Sequence, residues 1–295
     1  MIVSSGTTPV IPWSADRLEL GEGARWIDGR LHLVDMLTGR LLVAEPGATN
    51  GLQEVLRVDG PVGAFAARRG HPGSWLVATG PGIAIADASG ILDWLDRPEA
   101  DNAASVRMND GAVDAEGRFW TGSMADDGTV GAGSLYRVDH DRAVVRVLDG
   151  LSIVNGPAFS PDGRVMYLAD TQAGVIYRFG FDALSGVPGA RETFVRFAEG
   201  AGLPDGMTVD IEGALWVALW GGGAVHRYRP DGRLDRVIQV PAAQPTSVCL
   251  GGTSGRRLFI TSATVGLADP GPEDGAIFSV IVDVPGTSAR QAVLR

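Results

Sequence analysis

Four times along this chain an oxygen-bearing side chain and a glycine stand just ahead of a short apolar run: Glu22-Gly23, Asp110-Gly111, Asn155-Gly156 and Asp205-Gly206. A second turn ending in glycine follows six or seven residues later, at Asp28-Gly29, Glu116-Gly117, Asp162-Gly163 and Glu212-Gly213. Side chains at one phase of a repeat occupy one ring in space. A ring of carboxylates with an amide suits a hard divalent cation such as calcium, magnesium or manganese. Acids gathered without a cation would raise one another's pKa, so a bound ion resolves their repulsion. Three or four protein oxygens leave coordination sites for water and substrate, the arrangement that catalytic metals use.

Other chemistry is poorly supported. The histidines, His32, His71, His140 and His226, fall at unrelated phases and form no metal-binding spacing. No GxSxG elbow appears, and Gly221-Gly222-Gly223 lacks both Walker and dinucleotide spacing, so it reads as a turn that leaves open space near a channel. The single cysteine, Cys249, lies in the apolar run TSVCL and reads as a buried structural thiol. Trp26, Trp120 and Trp216 read as core residues.

The elements that must position the ring are strands. The 295 residues include 42 glycines and 17 prolines, and the apolar stretches are short and bounded by Gly, Pro, Asp or Asn. Units aligned on the strand after each polar-Gly pair begin near Glu22, Gly63, Asp110, Asn155, Asp205 and Thr246, at offsets of 41, 47, 45, 50 and 41 residues. A unit of this length with three or four strands is one propeller blade. The predicted fold is therefore all-β, a six-bladed β-propeller in one domain over 1–295, its last blade closed by strands from both termini. The chain holds nine Asp-Gly dipeptides, and Asp110-Gly111 or Asp205-Gly206 taken alone reads as a turn. The phase distinguishes them: one set joins first strand to second, whereas the other precedes the strand that lines the central channel.

A formal net charge of -10 argues against a nucleic-acid partner. The first twenty residues lack a basic start followed by an apolar core, and no apolar run approaches a membrane span, so a cytoplasmic protein without a membrane partner is expected. No apolar stretch stands out as an interface, which predicts a monomer or a weak homodimer.

The motifs LGEGARW (20–26), RMNDGAVDAEGRFWTGSM (107–124), IVNGPAFSPDGRVMYLADT (153–171) and LPDGMTVDIEGALWVALWGG (203–222) resemble those of the senescence-marker-protein/regucalcin/gluconolactonase family. The resemblance covers roughly residues 18 to 282 and is nearest to bacterial sugar lactonases. It implies a six-bladed propeller with one divalent cation, calcium first, with Zn2+, Mn2+, Mg2+ or Fe2+ as alternatives. It makes Glu22, Asn155 and Asp205 the metal ligands, and Arg107 and Asn109 substrate contacts. Asp205 is the catalytic residue by the same resemblance, orienting or deprotonating the attacking water. Phase makes Asp110 a fourth ligand, whereas the resemblance makes it a support. The family often has a Glu after the TGSM-like motif that reaches sugar hydroxyls; the best match here is Asp127, one methylene shorter. The expected activity is hydrolysis of a glucono-, xylono- or arabinolactone-like aldonolactone. The alternatives are another ester, lactone or phosphotriester hydrolase on the same scaffold, and a non-catalytic calcium-binding propeller.

Overall fold

The computed structural model describes residues 9–44, 51–102 and 104–295. The first eight residues of the segment read for a signal peptide thus lie outside the described residues. Among the described residues the strands form six four-stranded antiparallel sheets, and each sheet is one blade. The innermost strands are Gly21–Ile27, Val62–Ala67, Val106–Val113, Val154–Phe159, Leu203–Val209 and Pro245–Gly251. Each innermost strand lies against the innermost strands of neighbouring blades, which closes the ring. In the sixth blade the outermost strand is Ile11–Pro12 from the N-terminus, paired with Phe278–Ser279. Velcro-like closure by both ends of the chain is thus as predicted. The one short 3-10 turn among the described residues, Met36–Thr38, caps the second strand of blade one.

Alternation along the strands fills every gap between blades with an apolar cluster. Leu33, Leu42, Phe259 and Ile277 join blade six to blade one, while Tyr167, Ile176, Met207 and Val217 join blade four to blade five. The remaining four interfaces are built alike. Trp120 and Trp216 are fully buried in two of these cores, and Trp26 is partly buried and stacked on Phe259 at 5.2 Å. Cys249 is buried in the blade six–one core, and burial pushes its thiol up to about 12, which leaves it inert.

The two glycine phases turn out to do different work. The hairpin phase makes tight turns with positive φ at Gly29, Gly117, Gly163 and Gly213, as expected. The other phase is not a turn ahead of the strand. It lies inside each innermost strand, and all six pairings shift register there: between Glu22 and Arg25, Val62 and Ala64, Met108 and Gly111, Asn155 and Ala158, Pro204 and Met207, and Pro245 and Val248. A β-bulge bends the strand and re-aims the side chain beside it, here toward the axis. The glycine is needed for close approach: a Cβ on Gly111 would lie 2.3 Å from the Trp120 carbonyl oxygen.

At the hairpin end the C-terminal segment crosses the channel. Ile211 N donates to Pro285 O, Gly286 N to Gly255 O, Ala289 N to Trp26 O, Ala292 N to Ala67 O and Val293 N to Gly117 O. Arg290 Nη2 reaches Pro161 O at 3.4 Å, so this strap touches all six blades. A cavity of about 100 Å3 lies beneath it, lined by Arg25, Trp26, Phe65, Met207 and Arg290 among others. None of the ring residues at the bulges lines that cavity; their chemistry faces the other mouth.

Candidate active site

The bulges bring Glu22, Asp110, Asn155 and Asp205 from four different blades to one end of the channel, each buried to 5% exposure or less. Burial and the neighbouring Asp110 charge raise the Glu22 carboxyl to about 8. Burial, then Glu22 and Asp110, push Asp205 well above the usual carboxylate range. Each acid therefore feels the next, and the cluster is electrostatically frustrated as it stands. Among the described residues no three histidine, cysteine or acidic side chains form a metal-holding group. The trio singled out by the resemblance is two carboxylates and an amide.

The amide is oriented by its surroundings. Asn155 Nδ2 donates to Thr171 Oγ1 at 2.8 Å, and Thr171 Oγ1 donates in turn to Pro204 O at 2.7 Å. That chain fixes which side of the amide carries oxygen, and it ties the Asn155 strand to the residue before Asp205. Asn155 Oδ1 accepts from Asn109 Nδ2 at 3.2 Å, leaving a lone pair for a further partner. Among the described residues Glu22 Oε2 accepts only the Gly23 amide, at 3.1 Å. Two desolvated carboxylates and a pre-set amide oxygen fit a hard divalent cation.

Asp110 sits differently. Its Oδ1 accepts from Gly111 N at 2.8 Å and from Arg25 Nη2 at 3.4 Å, and its Oδ2 accepts from Gly156 N at 2.9 Å. Both oxygens are occupied by protein donors. Arg25, which also donates to the Gly111 carbonyl, spans the channel from blade one to blade three and forms a floor under the ring. Sequence reasoning passed over Arg25, although its place three residues after Glu22 was the signal.

Arg107 and Asn109 flank the trio. Arg107 Nη1 donates to Asn109 Oδ1 at 3.0 Å and to Met108 O at 3.1 Å, and lies 3.2 Å from Met36 Sδ. Asn109 Nδ2 also donates to Val154 O at 3.0 Å, so Asn109 braces Arg107 on one side and Asn155 on the other. Asp127 stands apart from them. It is exposed, and its Oδ1 accepts from Thr129 N at 2.9 Å and Thr129 Oγ1 at 2.6 Å in a local turn. The carboxylate that meets Arg107 belongs to Asp126, with Oδ1 3.4 Å from Arg107 Nε.

The model of the SMP-30/Gluconolactonase/LRE-like region matches residues 20–264, most of the chain and all four bulge residues. The chain belongs to this family. Among its relatives, 6-deoxy-6-sulfogluconolactonase of Pseudomonas putida is 37% identical over 275 residues, covering 90% of this chain and 92% of that protein. Pentonolactonase XacC of Haloferax volcanii is 35% identical over 281 residues, with 90% and 92% covered. Of solved structures, the calcium-binding protein regucalcin from Agrobacterium tumefaciens superposes with a TM-score of 0.88 at 29% identity, covering 96% of this chain and 97% of that one.

Proposed function

We propose that this family member hydrolyses a sugar lactone, an aldonolactone such as glucono-, xylono- or arabinolactone, to its aldonic acid. The observation that carries the reading is the convergence of Glu22, Asn155 and Asp205 from three blades, with both carboxyls desolvated and raised by neighbouring charge. The names of the lactonase relatives support the substrate class, and the calcium-binding structural relative supports a divalent ion. Glu22, Asn155 and Asp205 would hold that ion, with calcium the first choice and Zn2+, Mn2+, Mg2+ or Fe2+ the alternatives. Held there, a divalent cation would supply Lewis-acid polarisation of the lactone carbonyl and charge stabilisation for the developing oxyanion.

The chain's own groups supply the rest. Asp205 orients or deprotonates the attacking water, whose oxygen bonds to the carbonyl carbon. The ring C–O bond then breaks and the departing oxygen takes a proton, giving the hydroxy acid. Arg107 presents Nη2, which no hydrogen bond among the described residues uses, to a substrate oxygen, in an orientation that Asn109 fixes through Nη1. A lactone is already an activated ester, so no nucleophilic serine is required. The same reading makes the protein a single-domain enzyme of the cytoplasm, a monomer or weak homodimer. No nucleic-acid or membrane partner enters this reading, for which the net charge of -10 is the support against nucleic acid; among the described residues no helix is long and apolar enough to cross a membrane.

The test is a panel of aldonolactones assayed by pH-stat, with a no-enzyme control for spontaneous opening, on chelated protein and on protein reloaded with each cation. Turnover is expected only after reloading, and Asp205→Ala should lower it about a hundredfold or more. Cation binding without turnover of any lactone would leave a calcium-binding propeller. Undiminished turnover by Asp205→Ala would move the catalytic centre elsewhere.

A further inference from the structure

We infer that Asp126 sets the charge selectivity of this site, favouring uncharged hydroxylated lactones over lactones that carry an anionic group. The inference rests on the lactonase reading above. Asp126 follows the second strand of blade three, Phe119–Ala125, at the mouth where Arg107 enters the first strand. Its backbone N–H donates to Ser105 O at 2.8 Å, and Ser105 Oγ donates to Asp126 Oδ2 at 2.7 Å. One carboxylate oxygen is thereby pinned, and the other faces Arg107 Nε at 3.4 Å.

Arg107 is held on its other side through Nη1, by Asn109 Oδ1 and the Met108 carbonyl, so the guanidinium cannot swing away from Asp126. Its Nη2 still offers hydrogen bonds to a hydroxyl or ring oxygen. Its charge, however, is already compensated before any substrate arrives. An incoming sulfonate or phosphate would exchange no unpaired cation there, and it would meet the exposed Asp126 carboxylate beside Arg107. A neutral polyol loses nothing by that arrangement. The Arg107 side chain is 14% exposed and that of Asp126 is 49% exposed, so the pair is partly screened and the discrimination is modest.

The experiment compares kcat/KM for glucono-1,5-lactone and for 6-deoxy-6-sulfoglucono-1,5-lactone at a fixed saturating divalent cation, over a range of ionic strength. Wild-type protein should favour the neutral lactone. Asp126→Asn should shift the ratio toward the sulfonated one by about fivefold or more, mainly through KM and less so at high salt. Ser105→Ala should move the ratio the same way by less, and Asp126→Glu, which keeps the charge, should stay near wild type. An unchanged ratio in Asp126→Asn overturns the inference, as does an equal shift in Asp126→Glu or a wild type that prefers the sulfonated lactone. Thermal melts establish that each variant is folded. Wild-type protein that turns over no aldonolactone of the panel sinks the lactonase reading and this inference together, whereas turnover of panel lactones but of neither compound here, or intact turnover with an unmoved ratio, sinks only the inference.

Discussion

Glu22 is the residue whose chemistry is most visible in the absence of a ligand. Burial, then Asp110, raise its carboxyl from 4.5 to about 8. Between those values the folded chain holds a proton that the unfolded chain has released. The associated stability is full below about 4.5 and is lost as pH rises through 8, at about 1.4 kcal/mol per pH unit per proton. Chelated protein should therefore melt at progressively lower temperature from pH 5 to pH 8, and a divalent cation should flatten that slope while releasing protons on binding. A pH-independent melt of chelated protein would contradict the assignment. Thr171 offers a second test, since it orients the Asn155 amide. Thr171→Val should weaken cation affinity by about 10- to 100-fold in calorimetric titration, far more than it lowers the melting temperature. The ring residues were legible because side-chain type recurred at one phase of the repeat. Thr171 and Asp126 were not, because what matters in them is which neighbour each hydrogen bond reaches, and that depends on packing between blades.

At the scale of the strand and hairpin, the repeat predicted blades and glycine turns but misread one turn as lying ahead of a strand that in fact contains it. Residues such as Glu22-Gly23 and Asn155-Gly156 carry the composition of a turn because a bulge needs the same freedom. Nothing local separates the two; the register of the partner strand does. The motif D-x-E-G-x-x-W, at 114–120 and 210–216, was also present and unread. Asp114 Oδ1 accepts from the Glu116 and Arg118 amides, and Oδ2 accepts from Arg118 Nε at 2.7 Å and Trp120 Nε1 at 2.9 Å. Asp210 binds the Glu212 and Ala214 amides and Trp216 Nε1 in the same way. One carboxylate thus pins a hairpin to the indole between blades. Asp114→Ala leaves the buried Arg118 guanidinium without its counter-charge and strands an indole N–H. It should cost about 3–5 kcal/mol in denaturant unfolding while leaving KM for the lactone close to wild type, since Asp114 lies just beyond the strand Val106–Val113, at the end away from Arg107.

Across the whole molecule, blade number and ring closure followed from six offsets. The strap did not, because residues 285–295 match no unit of the repeat and all but one of the bonds that tie them to the blades, that of Arg290, are made by backbone groups. Those bonds join blades that are far apart in sequence, so deleting residues 285–295 should lower the unfolding midpoint and broaden the transition, whereas removing only Arg295 should have little effect. A midpoint unmoved by the longer deletion would show that the ring holds without it. The strap, with Arg25 below the acids, also makes a tunnel into a blind vessel. Traffic then has a single doorway: the acid formed, now bearing a negative charge, leaves by the mouth through which its uncharged precursor entered, and the carboxylate of Asp126 there disfavours its return.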